Sequence, residues 1–154
     1  MDPLFLDQVE RVLSAVEAIR RKGKATGQTA DEKLLATITY LVYELIPRDP
    51  ARSEFRQGST LGRQRKHWYR AKFGNGRFRL FFRFRTDVRI IVYAWVNDAS
   101  TLREYGSRTD AYAAFGRMLD RGNPPDDWDA LLERASSDEA RSRARKLGMH
   151  LKNQ

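Results

Sequence analysis

Arg77, Arg79, Arg83 and Arg85 alternate with Phe78, Leu80, Phe82 and Phe84 in the segment WYRAKFGNGRFRLFFRFR, which opens at Trp68. Guanidiniums pair bidentately with phosphate oxygens. A row of them is suited to a polyanion. Where a scissile phosphate lies among such cations, they also stabilise the charge of its transition state. Arg70, Lys72 and Arg79 are the three cations that a hairpin would bring into one patch. RNA carries its own nucleophile, the 2′-OH. Its cleavage needs alignment of that hydroxyl, removal of a proton and neutralisation of charge. A tyrosine or lysine beside other cations can serve without histidine or metal.

Aromatic residues interleave with these cations. Trp68, Phe81, Tyr105 and Tyr112 are candidate surfaces for stacking a splayed base. The plainer alternatives are that Trp68 and Phe81 cap the sheet and that Tyr112 belongs to the core. Arg65 and Lys66 extend the basic run, and His67 next to it is either a proton-transfer group or a loop residue. Arg103 and Arg108 are either site residues or plain surface. The chain has no cysteine and only two histidines, His67 and His150. No His/Asp/Glu cluster has metal-ligand spacing, and no phosphate loop or Gly-x-Ser-x-Gly elbow is present, so no metal or other cofactor is expected.

The elements that must position these residues follow from periodicity. Phe5, Leu6, Val9, Val12, Leu13, Val16 and Ile19 predict an amphipathic helix over residues 4–22. Thr29 and Glu32 have capping-box spacing and open a second helix, which Pro47 should stop. Residues 49–67 read as a long polar loop, of a kind that is often functional or mobile. Asn75-Gly76 is the favoured pair for a type I′ turn. It sets Phe73 against Phe78, Lys72 against Arg79 and Arg70 against Phe81. Tyr69, Ala71 and Phe73 then join the apolar face, and Trp68, Arg70 and Lys72 join the arginine face.

Residues 88–96 form a third strand. A three-residue loop before it turns Val88, Ile90, Val92 and Ala94 to the core, with Arg89, Ile91, Tyr93 and Trp95 on the arginine side; a two-residue loop reverses this. Thr109 should cap a helix through Tyr112 and Phe115 that Gly122 closes, and Asp126 or Asp127 should cap another around Trp128. From Ser136 the polar, basic chain reads as a frayed helix or a disordered tail.

The net charge is +9 over 154 residues. Residues 52–89 hold 12 Arg+Lys and 2 Asp+Glu, a balance of +10, so the rest sums to −1. Charge confined to one quarter of a chain marks a binding surface. No apolar run is long enough for a membrane span and no signal peptide is apparent, which fits a cytoplasmic protein.

The segments WYRAKFGNGRFRLFFR, WVNDASTLREYG, RTDAYAAFGRML and RGNPPDDW resemble the YhaV toxins of bacterial type II toxin–antitoxin pairs, within the RelE-like ribonucleases. The resemblance runs roughly from Lys33 to Leu131. It implies a small α+β fold, with N-terminal helices on one face of a small antiparallel sheet, C-terminal helices after it and an RNA site on the other face. One toxin domain would span 1–135, with 136–154 as a basic tail. It also implies ribosome-associated cleavage of mRNA, a PrlF-like antitoxin as partner and operator DNA reached through that antitoxin. The family's basic-x-basic pair falls on Arg70 and Lys72, and its strand arginine on Arg79. Its later arginine falls on Arg103 or Arg108, and its helical tyrosine on Tyr112 or Tyr105. Arg65, Lys66, His67, Trp68, Arg77, Phe81 and Arg83 would line the RNA path. Two rival readings are a non-catalytic nucleic-acid binder, which the lack of a basic recognition helix weakens, and an interface for an acidic partner.

Overall fold

The carboxylate of Asp2 accepts from Leu4 N at 2.9 Å and starts α1 (Pro3–Arg21), with proline at the first turn where its missing N–H costs nothing. The computed structural model describes residues 1–153. Thr29 and Glu32 form the expected capping box at α2 (Ala30–Tyr40). The helix does not stop at Pro47. It widens into a π turn at Leu41–Leu45, where Ile46 N reaches back to Leu41 O, and ends with α3 (Ile46–Arg48).

Residues 49–67 are anchored rather than loose. Phe55 and Leu61 are buried, and the Gln57 side chain donates to Arg65 O at 2.9 Å while accepting from Leu61 N at 3.1 Å.

The sheet is antiparallel in the order β1 (Tyr69–Phe73), β2 (Phe78–Arg85), β3 (Ile90–Val96). The first hairpin has the expected register: Lys72 lies opposite Arg79 and Arg70 opposite Phe81. Asn75 and Gly76 sit at φ 56° and 79°, and Arg77 N closes the turn on Gly74 O at 3.2 Å, as a type I′ turn requires. The second hairpin differs from the three-residue loop. Its loop spans the four residues 86–89 with Arg89 at positive φ, and Arg85 pairs Ile90. The even loop reverses the faces. Ile91 and Tyr93 point to the α1 side, and Ile90 and Val92 to the arginine side. A bulge then places Trp95 opposite Phe81 with Ala94 as the extra residue, which returns Trp95 to the arginine side as expected.

Both faces are covered. Phe5, Leu6, Ile38, Leu80, Phe82 and Tyr93 form the first core with α1 and α2. The arginine face carries a second core under α4 (Ala111–Asp120) and α5 (Trp128–Ala135), with Trp68, Phe81, Trp95 and Phe115 at its centre. Asp110, one residue after Thr109, caps α4, and Asp127 caps α5. Residues 137–152 are neither frayed nor disordered. Ser137 caps α6 (Asp138–Lys152), which buries Ala140, Leu147 and Leu151, and Arg143 bridges Asp7 at 2.6 Å and Glu10 at 2.9 Å on α1. At the sheet edges, Arg56 bridges Tyr69, and Asp2 N donates to Tyr93 O at 2.9 Å.

Phe115 stacks on Phe81 at 4.2 Å between ring centroids and on Trp95 at 5.9 Å, and meets Trp68 edge-on at 5.0 Å. Phe115→Ala should therefore destabilise the fold by about 3–5 kcal/mol, read from urea unfolding.

Candidate active site

Arg70 on β1 and Arg79 on β2 are diagonal neighbours on the arginine face, and both are nearly buried, at 7% and 6% exposure. Each is held in the same way. The Tyr112 hydroxyl, from the first turn of α4, accepts from Arg70 Nε at 2.8 Å and from Arg79 Nε at 3.0 Å. Arg70 Nη1 donates to Glu54 O at 2.6 Å, and Arg79 Nη1 to Gly76 O at 2.8 Å and Phe78 O at 2.9 Å. Nη2 of each guanidinium has no partner among the described residues and is not buried. Two fixed cations thus each keep one nitrogen without a protein partner among the described residues.

Arg103 reaches the same centre from the loop after β3. Its guanidinium lies over the Tyr112 ring at 4.9 Å, and Nη1 donates to Asp110 Oδ1 at 2.6 Å. Asp110 is buried, which raises its pKa. The opposing hydrogen bonds from Arg103 and from the amides of Glu104 and Tyr112 prevail and hold it below the ordinary carboxylate range. Asn97 ties the loop down. Its Oδ1 accepts from Arg79 N at 2.7 Å, and Nδ2 donates to Arg77 O at 3.1 Å and Thr101 O at 2.8 Å. Arg103 N donates to Arg77 O at 2.8 Å. Neither Asn97 nor Asp110 was among the sequence candidates. An Asp two residues before a buried helical tyrosine was a legible N-cap signal, whereas the side-chain bonds of Asn97 leave none.

This arrangement can bind a singly charged phosphodiester and follow it as a second charge builds. Among the described residues no group of three His, Asp or Glu could hold a metal ion.

Residues 1–136 match the family described as a toxin with endonuclease activity of a toxin–antitoxin system, the YhaV toxins. The chain belongs to the YhaV toxin family. The match reaches through α1, beyond the stretch that carried the resemblance in the sequence. The chain is 42% identical over 133 residues to Toxin YhaV of Escherichia coli O6:H1, covering 85% of this chain and 86% of that one. It is 42% identical over 131 residues to Ribonuclease toxin YhaV of E. coli K12, covering 84% and 85%. No solved structure matches significantly. As a family member, the protein is an endonuclease toxin with an antitoxin partner. No helix among the described residues is long and apolar enough to cross a membrane.

The remaining candidates divide sharply in this YhaV-family chain. Lys72 is exposed beside Arg79, and Tyr105 is 93% exposed with Arg103 at 5.6 Å from its ring. Arg77 and Lys66 are exposed, and Arg108 is exposed with no side-chain hydrogen bond among the described residues. Trp68 and Phe81 are fully buried in the second core, so neither offers a face to a base. Arg65 is drawn to α4, pairing Asp120 at 2.6 Å and Gly116 O at 3.3 Å. Arg83 lies against the rings of Trp68 and Trp128, and burial lowers its pKa. His67 Nε2 meets Asp126 Oδ1 at 2.8 Å, beside the Trp68 Nε1 bond of 2.6 Å.

Asp110→Asn keeps a good N-cap and removes the charge facing Arg103. A depressed carboxyl stabilises the fold above its unfolded pKa and loses that effect as pH falls through the folded one. Wild type should therefore exceed Asp110→Asn in stability at pH 7, with the gap closing below about pH 4, in urea unfolding at both pH values.

Proposed function

We propose that this toxin is an endoribonuclease that cuts mRNA by attack of the 2′-OH on the neighbouring phosphate. The supporting observation is the pair of guanidiniums fixed on one tyrosine hydroxyl, each with Nη2 left without a partner among the described residues. The printed name of the K12 relative, a ribonuclease toxin, agrees with RNA as substrate.

In this reading Arg79 and Arg103 stabilise the charge of the phosphorane-like transition state, and Arg70 holds the substrate backbone. Lys72, exposed across the strand pair, takes up the proton or adds positive charge. Tyr112 accepts from both arginines, and the same hydroxyl orients the 2′-OH. Tyr105 stacks a base. Arg103 is preferred to Arg108 as the late arginine because it shares the centre with Tyr112. The reaction balances without a co-reactant: the 2′-oxygen forms a bond to phosphorus, the 5′-oxygen leaves with a proton, and a 2′,3′-cyclic phosphate remains. We place the activity in the cytoplasm on ribosome-associated mRNA. A PrlF-like antitoxin would neutralise it by covering the arginines and carry it to operator DNA.

Arg79→Ala should lower RNA cleavage about hundredfold or more and abolish growth inhibition, with an unchanged circular-dichroism spectrum. A fully toxic variant would overturn the assignment. Tyr112→Phe keeps the ring and removes the acceptor. Its turnover should fall on the order of hundredfold, since both guanidiniums lose their fixed orientation, and single-turnover kinetics would read it.

A further inference from the structure

A groove of about 430 Å³ runs from the Arg103–Tyr112 centre along the outer face of α4. Tyr105 stands at its near end and Arg117 and Asp120 at its far end. Three observations single it out. Tyr105 is the most exposed large aromatic of the chain, and the Arg103 guanidinium lies 5.6 Å from its ring. Gly116 lies between the two ends, in a helix interior where glycine costs about 1 kcal/mol relative to alanine. A Cβ there would meet only Arg65 Nη1, at 3.9 Å, and its φ is ordinary, so the backbone does not require glycine. What glycine does is keep the groove clear. Finally, the Arg117 side chain makes no hydrogen bond or ion pair among the described residues. Asp120 uses only Oδ1, toward Arg65, and leaves Oδ2 open.

We infer that this groove is a nucleobase subsite that seats the base beside the cleaved phosphate and selects guanine. The inference rests on the RNA-cleaving reading of the adjoining centre. A flat, open groove with an aromatic face suits a base, since every base has a face for stacking. The two edge groups supply the choice. A carboxylate accepts from two adjacent N–H donors, here with Oδ2 and the second lone pair of Oδ1, and among RNA bases guanine alone presents such a pair, at N1 and N2. A guanidinium pairs with two adjacent acceptors, which guanine presents at O6 and N7.

The test maps mRNA 5′ ends after induction of wild type, Arg117→Ala, Asp120→Asn and Gly116→Leu, so that ribosome-dependent cleavage is read as well. Wild-type cuts should show guanine enriched about tenfold at one position flanking the cut, the discrimination one bidentate contact provides. Arg117→Ala and Asp120→Asn should remove the enrichment while still arresting growth. Binding of non-cleavable 2′-O-methyl trinucleotides to purified wild type should favour a central guanine by a similar factor. The subsite is overturned if wild type shows no guanine preference in either assay, or if Arg117→Ala and Asp120→Asn keep it. Gly116→Leu should also level the preference; retention of the preference in a folded Gly116→Leu protein counts against the groove. Arg79→Ala separates the two readings. If it still cuts RNA, the centre itself is misassigned. If it is silent while Arg117→Ala and Asp120→Asn cut with unchanged preference, only the subsite fails.

Discussion

One phenol oxygen orders the cationic side of this molecule. Two nearly buried guanidiniums repel each other and lose hydration, so neither would hold a fixed place on the sheet alone. The Tyr112 hydroxyl gives both a common acceptor, and backbone carbonyls at Glu54, Gly76 and Phe78 take the next nitrogens. No carboxylate shares that inner set. The positive charge is therefore held in place without being cancelled. Asp110, the one carboxylate of the centre, meets Arg103 at its edge. In the proposed reading, an anionic substrate completes the set of partners that the protein leaves open.

The second core serves this arrangement. Tyr112 arrives correctly only if α4 lies flat on the arginine face, and Phe81, Trp95 and Phe115 stack to keep it there. Arg103 arrives correctly only if the loop after β3 returns to β2, which the three side-chain hydrogen bonds of Asn97 accomplish. The site is thus a meeting of a sheet, a loop and a helix end.

The first hairpin was legible in the sequence because its turn chemistry and its alternation demand the same register. The helices α1 and α2 were legible for the same reason, agreement between periodicity and caps. The second hairpin was not, since loop parity and a bulge both reset the faces and neither has a strong residue signature. Alternation also misled at Trp68 and Phe81. It states which side of a strand a residue takes, but not whether a later helix covers that side. The preference for Arg103 over Arg108 in the proposed site rests on a hydrogen-bonded loop, which spacing does not encode. The docked α6 was hidden because its low hydrophobic content resembles a solvated tail, although Ala140, Leu147 and Leu151 recur at helical intervals.

A sheet of three strands has two outer edges for very little interior, and unpaired edges recruit other chains. Here the β1 edge meets Arg56 at Tyr69, and on β3 Tyr93 O accepts from Asp2 N and Val96 O from the Gln8 side chain. None of these contacts lengthens the sheet. Each interrupts the row of free amides and carbonyls that an incoming strand needs in sequence. Local contacts of this kind make a sheet rich in phenylalanine and β-branched residues a poorer template for an incoming strand, with no extra strand added.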